Sequence, residues 1–305
     1  MKKIETINII GLGALGLLYA RSMSRALGSE SVRFVMNRER YERNKDKEFK
    51  IQGEPMKFGM VSSDEAGPAD LVLVAVKYPG LAGALEDMSS SVGDDTVIMS
   101  VLNGISSENL IAAKFGAYRM INTVAQGMDA TKFGDELNFS SSGTLFIGEY
   151  EGGRPDNVER VREVLERCSL SCKVEDDIKF RIWSKYMLNV GVNQTCMVYA
   201  TNYGGVMAEG EPNRTFISAM REVVAVANAE GIRLTEKDLN AYVELTGTLK
   251  QDLMPSMAQD RINRKPCEVD AFAGTLIELA GKHGLHVPVN EFLYKRAHEI
   301  EAEYI

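Results

Sequence analysis

One glycine-rich segment near the N-terminus constrains the fold of this chain more than any other feature. It follows a short apolar run, Ile7–Ile10, and precedes a helix-forming stretch over 17–27. In such a strand-turn-helix unit, the first glycine permits a sharp turn, the second lets a ligand approach the backbone, and the third lets the helix pack closely on the strand. The helix N-terminus then offers N–H groups to an anion, so we expect a dinucleotide diphosphate there rather than a tight turn without a ligand. The segment consists of Gly11, Leu12, Gly13, Ala14, Leu15 and Gly16.

The first third of the chain alternates between short apolar runs and longer stretches. The runs Ile7–Ile10, Val32–Met36, Leu71–Val76 and Val97–Leu102 are rich in β-branched residues, and crossover helices fit between them. This rhythm predicts an α/β fold with a Rossmann-type, doubly wound parallel sheet. Further candidate strands follow without a convincing helix between the first two, which predicts irregular or antiparallel additions to the sheet; they span 120–124, 144–148 and 170–174.

After residue 176 the apolar pattern changes to the helical period. Because 305 residues exceed the roughly 250 at which one core stops growing, we predict two domains. Residues 1–175 form the dinucleotide-binding domain, residues 176–305 form an all-helical domain, and a cleft is expected between them. The predicted helices span 178–200, 215–230, 236–251, 255–263, 268–282 and 290–305.

Composition excludes several classes of function. The chain has 35 Lys and Arg against 43 Asp and Glu, so it lacks the basic surface that a nucleic acid requires. It contains no run of about 18 apolar residues and no secretion signal at its start, which disfavours a membrane or secreted protein. Four cysteines without CxxC spacing and three histidines near the C-terminus predict free thiols, a reducing cytoplasm and no metal site.

Polar residues at the ends of the predicted strands are candidates for contacts with the dinucleotide. Asn37 and Arg38 follow the second strand, where an NAD-specific site usually has a carboxylate, so a guanidinium there favours NADPH. The alternative is that Arg38 is a solvated loop charge and that Glu39 binds the ribose. Lys77 and Asn103 follow the third and fourth strands at the carboxyl edge, where ligands of such sheets bind, although each could also be an ordinary loop residue.

The segment 178–199 predicts a largely buried helix that carries a polar stripe. Lys185, Asn189 and Asn193 recur at i, i+4 and i+8, so they lie on one face. Burying these groups without hydrogen-bond partners costs about 1 to 3 kcal/mol each. We therefore expect them either to line the cleft or to form a hydrogen-bond network that has no catalytic role. A partly desolvated ammonium is a plausible proton donor to a ketone that accepts a hydride on its carbon. Glu268 and Ser256 are candidates for binding the substrate hydroxyl and carboxylate, or else they are helix-end residues.

Taken together, these pieces resemble the ketopantoate reductase (2-dehydropantoate 2-reductase) family over essentially the whole length. The matching pieces are GLGALG at 11–16, Lys77, Asn103-Gly104, Trp183-Ser-Lys185 with Asn189 and Asn193, Ser256-Met257 with Asp260, Lys265-Pro-Cys-Glu268-Val-Asp270, and His283-Gly-Leu-His-Val-Pro288-Val-Asn290. Any one of them is a loose match, whereas their order and spacing together are specific.

The resemblance implies NADPH-dependent reduction of 2-dehydropantoate to pantoate, the step that feeds pantothenate synthesis. It implies that Lys185 is the general acid and Glu268 the carboxylate that binds the substrate hydroxyl. Asn189, Asn193 and Ser256 are then substrate contacts, and Lys77 and Asn103 lie beside the nicotinamide.

This chain also departs from the family pattern. Tyr203 stands where some members have a substrate-binding Asn, Leu253 stands near another such Asn, and Arg38 stands one place later than in many members. Two alternatives therefore remain: reduction of another 2-oxo or 3-oxo acid on the same fold, or a non-catalytic NADPH sensor. The expected partner is a small oxo acid, and the sequence leaves a homodimer open.

Overall fold

The computed structural model describes residues 2–304, which form two compact units. The first unit runs to Leu102 and resumes over Ser107–Ile178. The second consists of Asn103–Ser106 and the chain from Lys179 onward. The four residues Asn103–Ser106 thus belong to the helical unit, although the stretches on both sides of them belong to the first unit. A single boundary near residue 175 does not predict this assignment.

A five-stranded parallel sheet forms the centre of the first unit, in the order β5-β2-β1-β6-β7. Ile7 of the central strand pairs with Val32 on one side and Leu71 on the other. The central strands are buried throughout, as expected for a sheet covered on both faces. The predicted α/β class and Rossmann-type sheet are confirmed. Its strands are β1 (Ile7–Ile10), β2 (Val32–Met36), β5 (Gly59–Ser62), β6 (Leu71–Val74) and β7 (Val97–Ser100), with β3 (Phe49–Ile51) and β4 (Glu54–Met56) between β2 and β5.

Two smaller sheets complete the strands of this unit. In one, β8 (Ile121–Met128) and β11 (Ser142–Glu149) are antiparallel and β12 (Cys172–Val174) is parallel to β11, so the expected antiparallel addition is present. The other joins β4, β3, β10 (Glu136–Asn138) and β9 (Thr131–Phe133). The sequence did not predict β3, β4, β5, β9 or β10, because each has only three or four residues and little apolar alternation.

Five helices accompany these strands: α1 (Ala14–Leu27), α2 (Arg38–Asn44), α3 (Leu81–Asp87), α4 (Ser107–Phe115) and α5 (Asn157–Arg167). The strand β6 stops at Val74 and β7 at Ser100, each two residues earlier than the apolar runs predicted. The apolar runs continue past the end of each strand because the residues at the sheet edge that follow are also partly buried.

Within the described residues the second unit is all-helical, as predicted. Its helices are α6 (Ile178–Val198), α7 (Tyr203–Met207), α8 (Glu211–Ala229), α9 (Glu236–Thr248), α10 (Ser256–Ile262), α11 (Thr275–Lys282) and α12 (Pro288–Glu301). The helix predicted over 268–282 is wrong in one respect: Asp270–Gly274 forms a π-helical turn, hereafter the π-turn, before α11 begins. No helix within residues 2–304 combines the length and apolar composition needed to cross a bilayer.

Candidate active site

The three glycines of the N-terminal turn have different structural roles. Gly11 has φ +117°, and a Cβ there would lie 2.4 Å from the carbonyl oxygen of Ala75. A Cβ on Gly16 would lie 2.0 Å from the carbonyl oxygen of Gly11. A Cβ on Gly13 would meet nothing closer than the Ala75 oxygen at 3.7 Å. The fold itself therefore requires Gly11 and Gly16, whereas the absent side chain of Gly13 leaves space for a ligand.

The start of α1 suits an anion. Gly13 is its N-cap, no side chain caps the helix, and its first turn contains no acidic residue. The first N–H groups and the positive end of the helix dipole thus have no competing carboxylate. The side chains of Leu12, Ala14 and Leu15 pack against the hydrophobic core, so these residues can offer a ligand only their backbone. Together the segment fits a dinucleotide diphosphate.

Arg38 lies at the exposed start of α2 beside two acidic residues. Its Nη2 donates to Asp64 Oδ2 at 2.5 Å and to Glu65 Oε1 at 2.6 Å. The Ser62 hydroxyl and the Arg38 guanidinium lower the pKa of Asp64 to about 2, so this carboxylate is charged at neutral pH. The Oδ1 of Asn37 accepts the Arg40 N–H at 3.0 Å and caps α2. Asn37 is therefore engaged in the helix, whereas Arg38 still has guanidinium N–H groups to offer.

Lys77 is exposed and follows β6 at the carboxyl edge of the sheet, as predicted. The segment that carries it lies directly against the glycine turn, since a Cβ on Gly11 would come within 2.9 Å of the Val76 nitrogen. The glycine turn and the strand end that leads to Lys77 are thus adjacent. This is the arrangement of a ligand site at the sheet edge.

In the second unit, the structure joins Lys185 to Asn103. Lys185 Nζ donates to Asn103 Oδ1 at 2.7 Å, a distance typical of a charge-assisted hydrogen bond. The chain turns at Gly104, directly after Asn103. Gly104 has φ +102°, and a Cβ there would lie 3.4 Å from the Ala271 carbonyl oxygen. The half-buried amine is therefore held in a defined orientation by a residue 82 positions away.

The two asparagines of the predicted stripe are buried on the same helix. Asn189 is 8% exposed and Asn193 is 5% exposed. The Nδ2 of Asn189 is buried and has no hydrogen-bond partner within residues 2–304. A buried N–H donor that lacks a hydrogen-bond partner costs about 1 to 3 kcal/mol of stability, so this amide is suited to bind a ligand oxygen.

The remaining predicted contacts differ in burial. Glu268 is 4% exposed and lies two residues before the π-turn, rather than in the first turn of a regular helix as predicted. Ser256 is the first residue of α10, where Pro255 is the N-cap and no side chain caps the helix. The Ser256 side chain is exposed. The structure thus joins Asn103 to Lys185 on the helix that also buries Asn189 and Asn193, and it exposes Ser256 at the start of α10.

A Rossmann-type sheet with an anion-binding turn, followed by a helical unit with an oriented amine, defines a dinucleotide-dependent oxidoreductase of the α/β class. The chain belongs to the ketopantoate reductase PanE/ApbA family: the family model matches residues 7–152, and its C-terminal model matches residues 177–301. A 2-dehydropantoate 2-reductase of Archaeoglobus fulgidus is 23% identical over 304 residues, which cover 98% of this chain and 99% of the relative.

Two solved structures illustrate the similarity. A 2-dehydropantoate 2-reductase from Geobacter metallireducens superposes with a TM-score of 0.85 and is 26% identical, covering 96% of this chain and 99% of the other. A D-mandelate dehydrogenase bound to NADH and anilino(oxo)acetate has a TM-score of 0.87 at 21% identity, with 98% and 99% covered. The latter similarity concerns the fold.

Sequence reasoning missed two features of the site. It predicted Asn103 and Lys185 separately but not their hydrogen bond, because no local pattern links residues so far apart. It also missed the carboxylates beside Arg38, although Asp64 and Glu65 follow β5, the strand paired with β2. Recognition of β5 would have revealed them.

Proposed function

We propose that this protein reduces 2-dehydropantoate to pantoate, with NADPH as the hydride source. When bound, NADPH supplies the hydride that attacks the carbonyl carbon. Lys185 donates a proton from its ammonium group to the carbonyl oxygen, so one hydride and one proton convert the ketone to the alcohol. The observation that carries the proposal is the 2.7 Å hydrogen bond from Lys185 Nζ to Asn103, which orients the proposed acid.

The residues around Lys185 have the chemistry that binding of a hydroxylated oxo acid requires. The buried Asn189 amide has an N–H donor without a partner in the part of the chain that the structure describes, and this donor suits a carbonyl or carboxylate oxygen. Asn193 is buried one turn further along the same face and adds a second amide. In the proposal, Glu268 accepts a hydrogen bond from the substrate hydroxyl and Ser256 contributes to binding of the carboxylate.

Lys185 suits this task because Asn103 holds its ammonium group in a defined orientation. Lysine is also a recognised general acid. The Asn103 carbonyl oxygen accepts one ammonium proton, and the proposal assigns another proton of the same group to the substrate carbonyl oxygen. After transfer, the neutral amine regains its proton from water.

The decisive experiment follows NADPH consumption with 2-dehydropantoate beside a small panel of other oxo acids. We expect the highest kcat/KM for 2-dehydropantoate. A much higher kcat/KM for another acid would show that this other acid, and not 2-dehydropantoate, is the substrate. Intact NADPH binding with no turnover of any acid would favour a sensor.

A second candidate substrate, another 2-oxo or 3-oxo acid, is favoured by one observation. Tyr203 stands where some family members have an asparagine, and Leu253 stands near another such position. In this chain the two are adjacent, since the Tyr203 N–H donates to the Leu253 carbonyl oxygen at 3.1 Å. Leu253 is 51% exposed and offers an apolar surface in place of an amide. A substrate with a less polar tail would suit that pair, and the same panel of acids tests it.

Glu268→Ala is expected to raise the KM for the oxo acid. Loss of a hydrogen bond to a charged group costs about 1.5 to 3 kcal/mol, which corresponds to a rise of about 10- to 150-fold. The affinity for NADPH, measured by fluorescence titration, is expected to stay unchanged. A variant in which only NADPH binding weakened would show that Glu268 acts on the cofactor.

Arg38→Ala is expected to weaken NADPH binding by about 10- to 150-fold and to leave NADH binding nearly unchanged. The physical reason is that both observed bonds of Arg38 use Nη2, so its other N–H groups can bind a 2′-phosphate. Titration of each nucleotide measures the two affinities. Arg43→Ala is the matched control, because Arg43 lies on the same helix and pairs only weakly with Glu39, at 3.6 Å. Equal losses for both nucleotides would remove Arg38 from recognition of the phosphate.

Cytoplasmic localisation and a homodimer stay predictions within this proposal. The proposed preference for NADPH over NADH rests on Arg38.

A further inference from the structure

The π-turn that follows Glu268 is closed by a side chain from α6. In a regular α-helix the Ala273 N–H would donate to the Val269 carbonyl oxygen, but here Val269 accepts from the Gly274 N–H at 3.0 Å. The Ala273 N–H donates instead to Oε1 of Gln194, at 3.0 Å. Gln194 is completely buried, so no water competes for this bond.

Gln194 is itself held by a directional chain of hydrogen bonds. Its Nε2 donates to Asn290 Oδ1 at 3.1 Å and to the Val190 carbonyl oxygen at 2.7 Å. Asn290 is also completely buried, and its Nδ2 donates to Glu222 Oε2 at 2.8 Å. The carboxylate thus fixes the orientation of the Asn290 amide, which fixes that of Gln194 and leaves the Gln194 carbonyl facing the π-turn.

A second residue of α6 holds the same turn. Tyr186 OH donates to the Phe272 carbonyl oxygen at 2.6 Å, and the two rings lie with centroids 6.4 Å apart. Tyr186 and Gln194 each follow a residue of the polar stripe directly, Lys185 and Asn193. The helix that carries the proposed acid therefore also carries two residues that bond to the backbone of the π-turn.

We propose that Gln194 is a positioning residue that sets the Glu268 carboxylate relative to Lys185. A π-turn contains one residue more than the α-helical ladder, so it rotates the chain on its N-terminal side by about 100° relative to α11. Glu268 lies on that side, two residues before the turn, and its carbonyl oxygen accepts the Phe272 N–H at 3.1 Å. Without Gln194 the turn loses the acceptor that stabilises its extra residue. The inference rests on the proposed role of Glu268.

The test compares Gln194→Met, which keeps the volume but removes the hydrogen bonds, with Glu268→Ala and with the double variant. We expect Gln194→Met to raise the KM for the oxo acid about tenfold or more, with kcat and NADPH affinity within about threefold of wild type. In the Glu268→Ala background the same substitution is expected to raise KM no further, because both act through one carboxylate. Leu239→Ala on α9, which is also completely buried, is the control for lost stability alone.

A second measurement does not depend on turnover. Hydrogen exchange of the backbone over 268–274 is expected to accelerate in Gln194→Met and to stay unchanged in Leu239→Ala at an equal loss of Tm. Unchanged exchange in that segment, an unchanged KM despite a lower Tm, or additive effects in the double variant would each overturn the proposal. If the wild-type protein reduces no oxo acid, the proposed function fails, and accelerated exchange confined to 268–274 still supports Gln194 as the anchor of the π-turn.

Discussion

Lys185→Ala is expected to lower kcat about 10²- to 10⁴-fold, the range that general acid catalysis contributes. Without the ammonium group, water must protonate the carbonyl oxygen, and the Asn103 oxygen that accepts from Lys185 at 2.7 Å loses its donor. The effect concerns the chemical step, so kcat and kcat/KM fall together while NADPH affinity changes little. Single-turnover oxidation of NADPH measures the step directly.

Two further lysine variants separate proton donation from charge. Lys185→Arg keeps the positive charge and the hydrogen bond to Asn103, but a guanidinium is a very poor acid, so we expect kcat to fall almost as far as in Lys185→Ala. Lys282→Ala is the matched control, because the Lys282 side chain is 58% exposed on α11 and forms a surface ion pair with Glu278 at 3.0 Å. A kcat within about threefold of wild type in Lys185→Ala would remove Lys185 as the acid.

Gly13→Val is expected to weaken dinucleotide binding about 10²-fold or more while the protein stays folded. The new side chain would fill the space beside the turn and keep a diphosphate away from the N–H groups of α1, which removes at least two hydrogen bonds to a charged group at about 1.5 kcal/mol each. The protein itself has room, since the nearest atom to a Cβ there is 3.7 Å away. Nucleotide titration and the Tm together measure both effects.

The other glycines supply the controls for this variant. Gly281→Val on α11 of the second unit also places a side chain where nothing lies within 4 Å, so binding of the diphosphate at the turn should not change. Gly16→Val should instead prevent folding, because its Cβ would lie 2.0 Å from the Gly11 oxygen. Unimpaired nucleotide binding by a folded Gly13→Val protein would place the diphosphate elsewhere.

Much of the first unit follows from local sequence. The longer strands of the parallel sheet are short, mainly apolar runs, and the GLGALG turn has a glycine at both positions where a side chain would clash with the backbone, Gly11 and Gly16. The short strands did not follow, since β3, β4, β9 and β10 have three residues each and pair at long range. A three-residue strand has no detectable period, so only its partners define it.

The candidate site shows the same difference between features set by local sequence and features set by long-range contacts. The stripe of Lys185, Asn189 and Asn193 could be predicted because residues four apart on one helix share a face. The π-turn could not, because the apolar pattern over 268–282 is that of an ordinary helix. Its extra residue depends on the amide of Gln194, which is 79 positions away from Ala273.

The sequence by itself determined the longer strands of the parallel sheet with the helix that follows the first of them, the glycine turn between the two, and the face of α6 that carries the polar groups. These depend on residues within one or two helical turns of each other, where backbone geometry alone relates them. Tertiary structure decided which acceptor orients Lys185, which carboxylates surround Arg38 and how the chain is held beside Glu268. Each of these depends on a hydrogen bond between distant segments, and such a bond exists only when the packing of both segments brings donor and acceptor within about 3 Å.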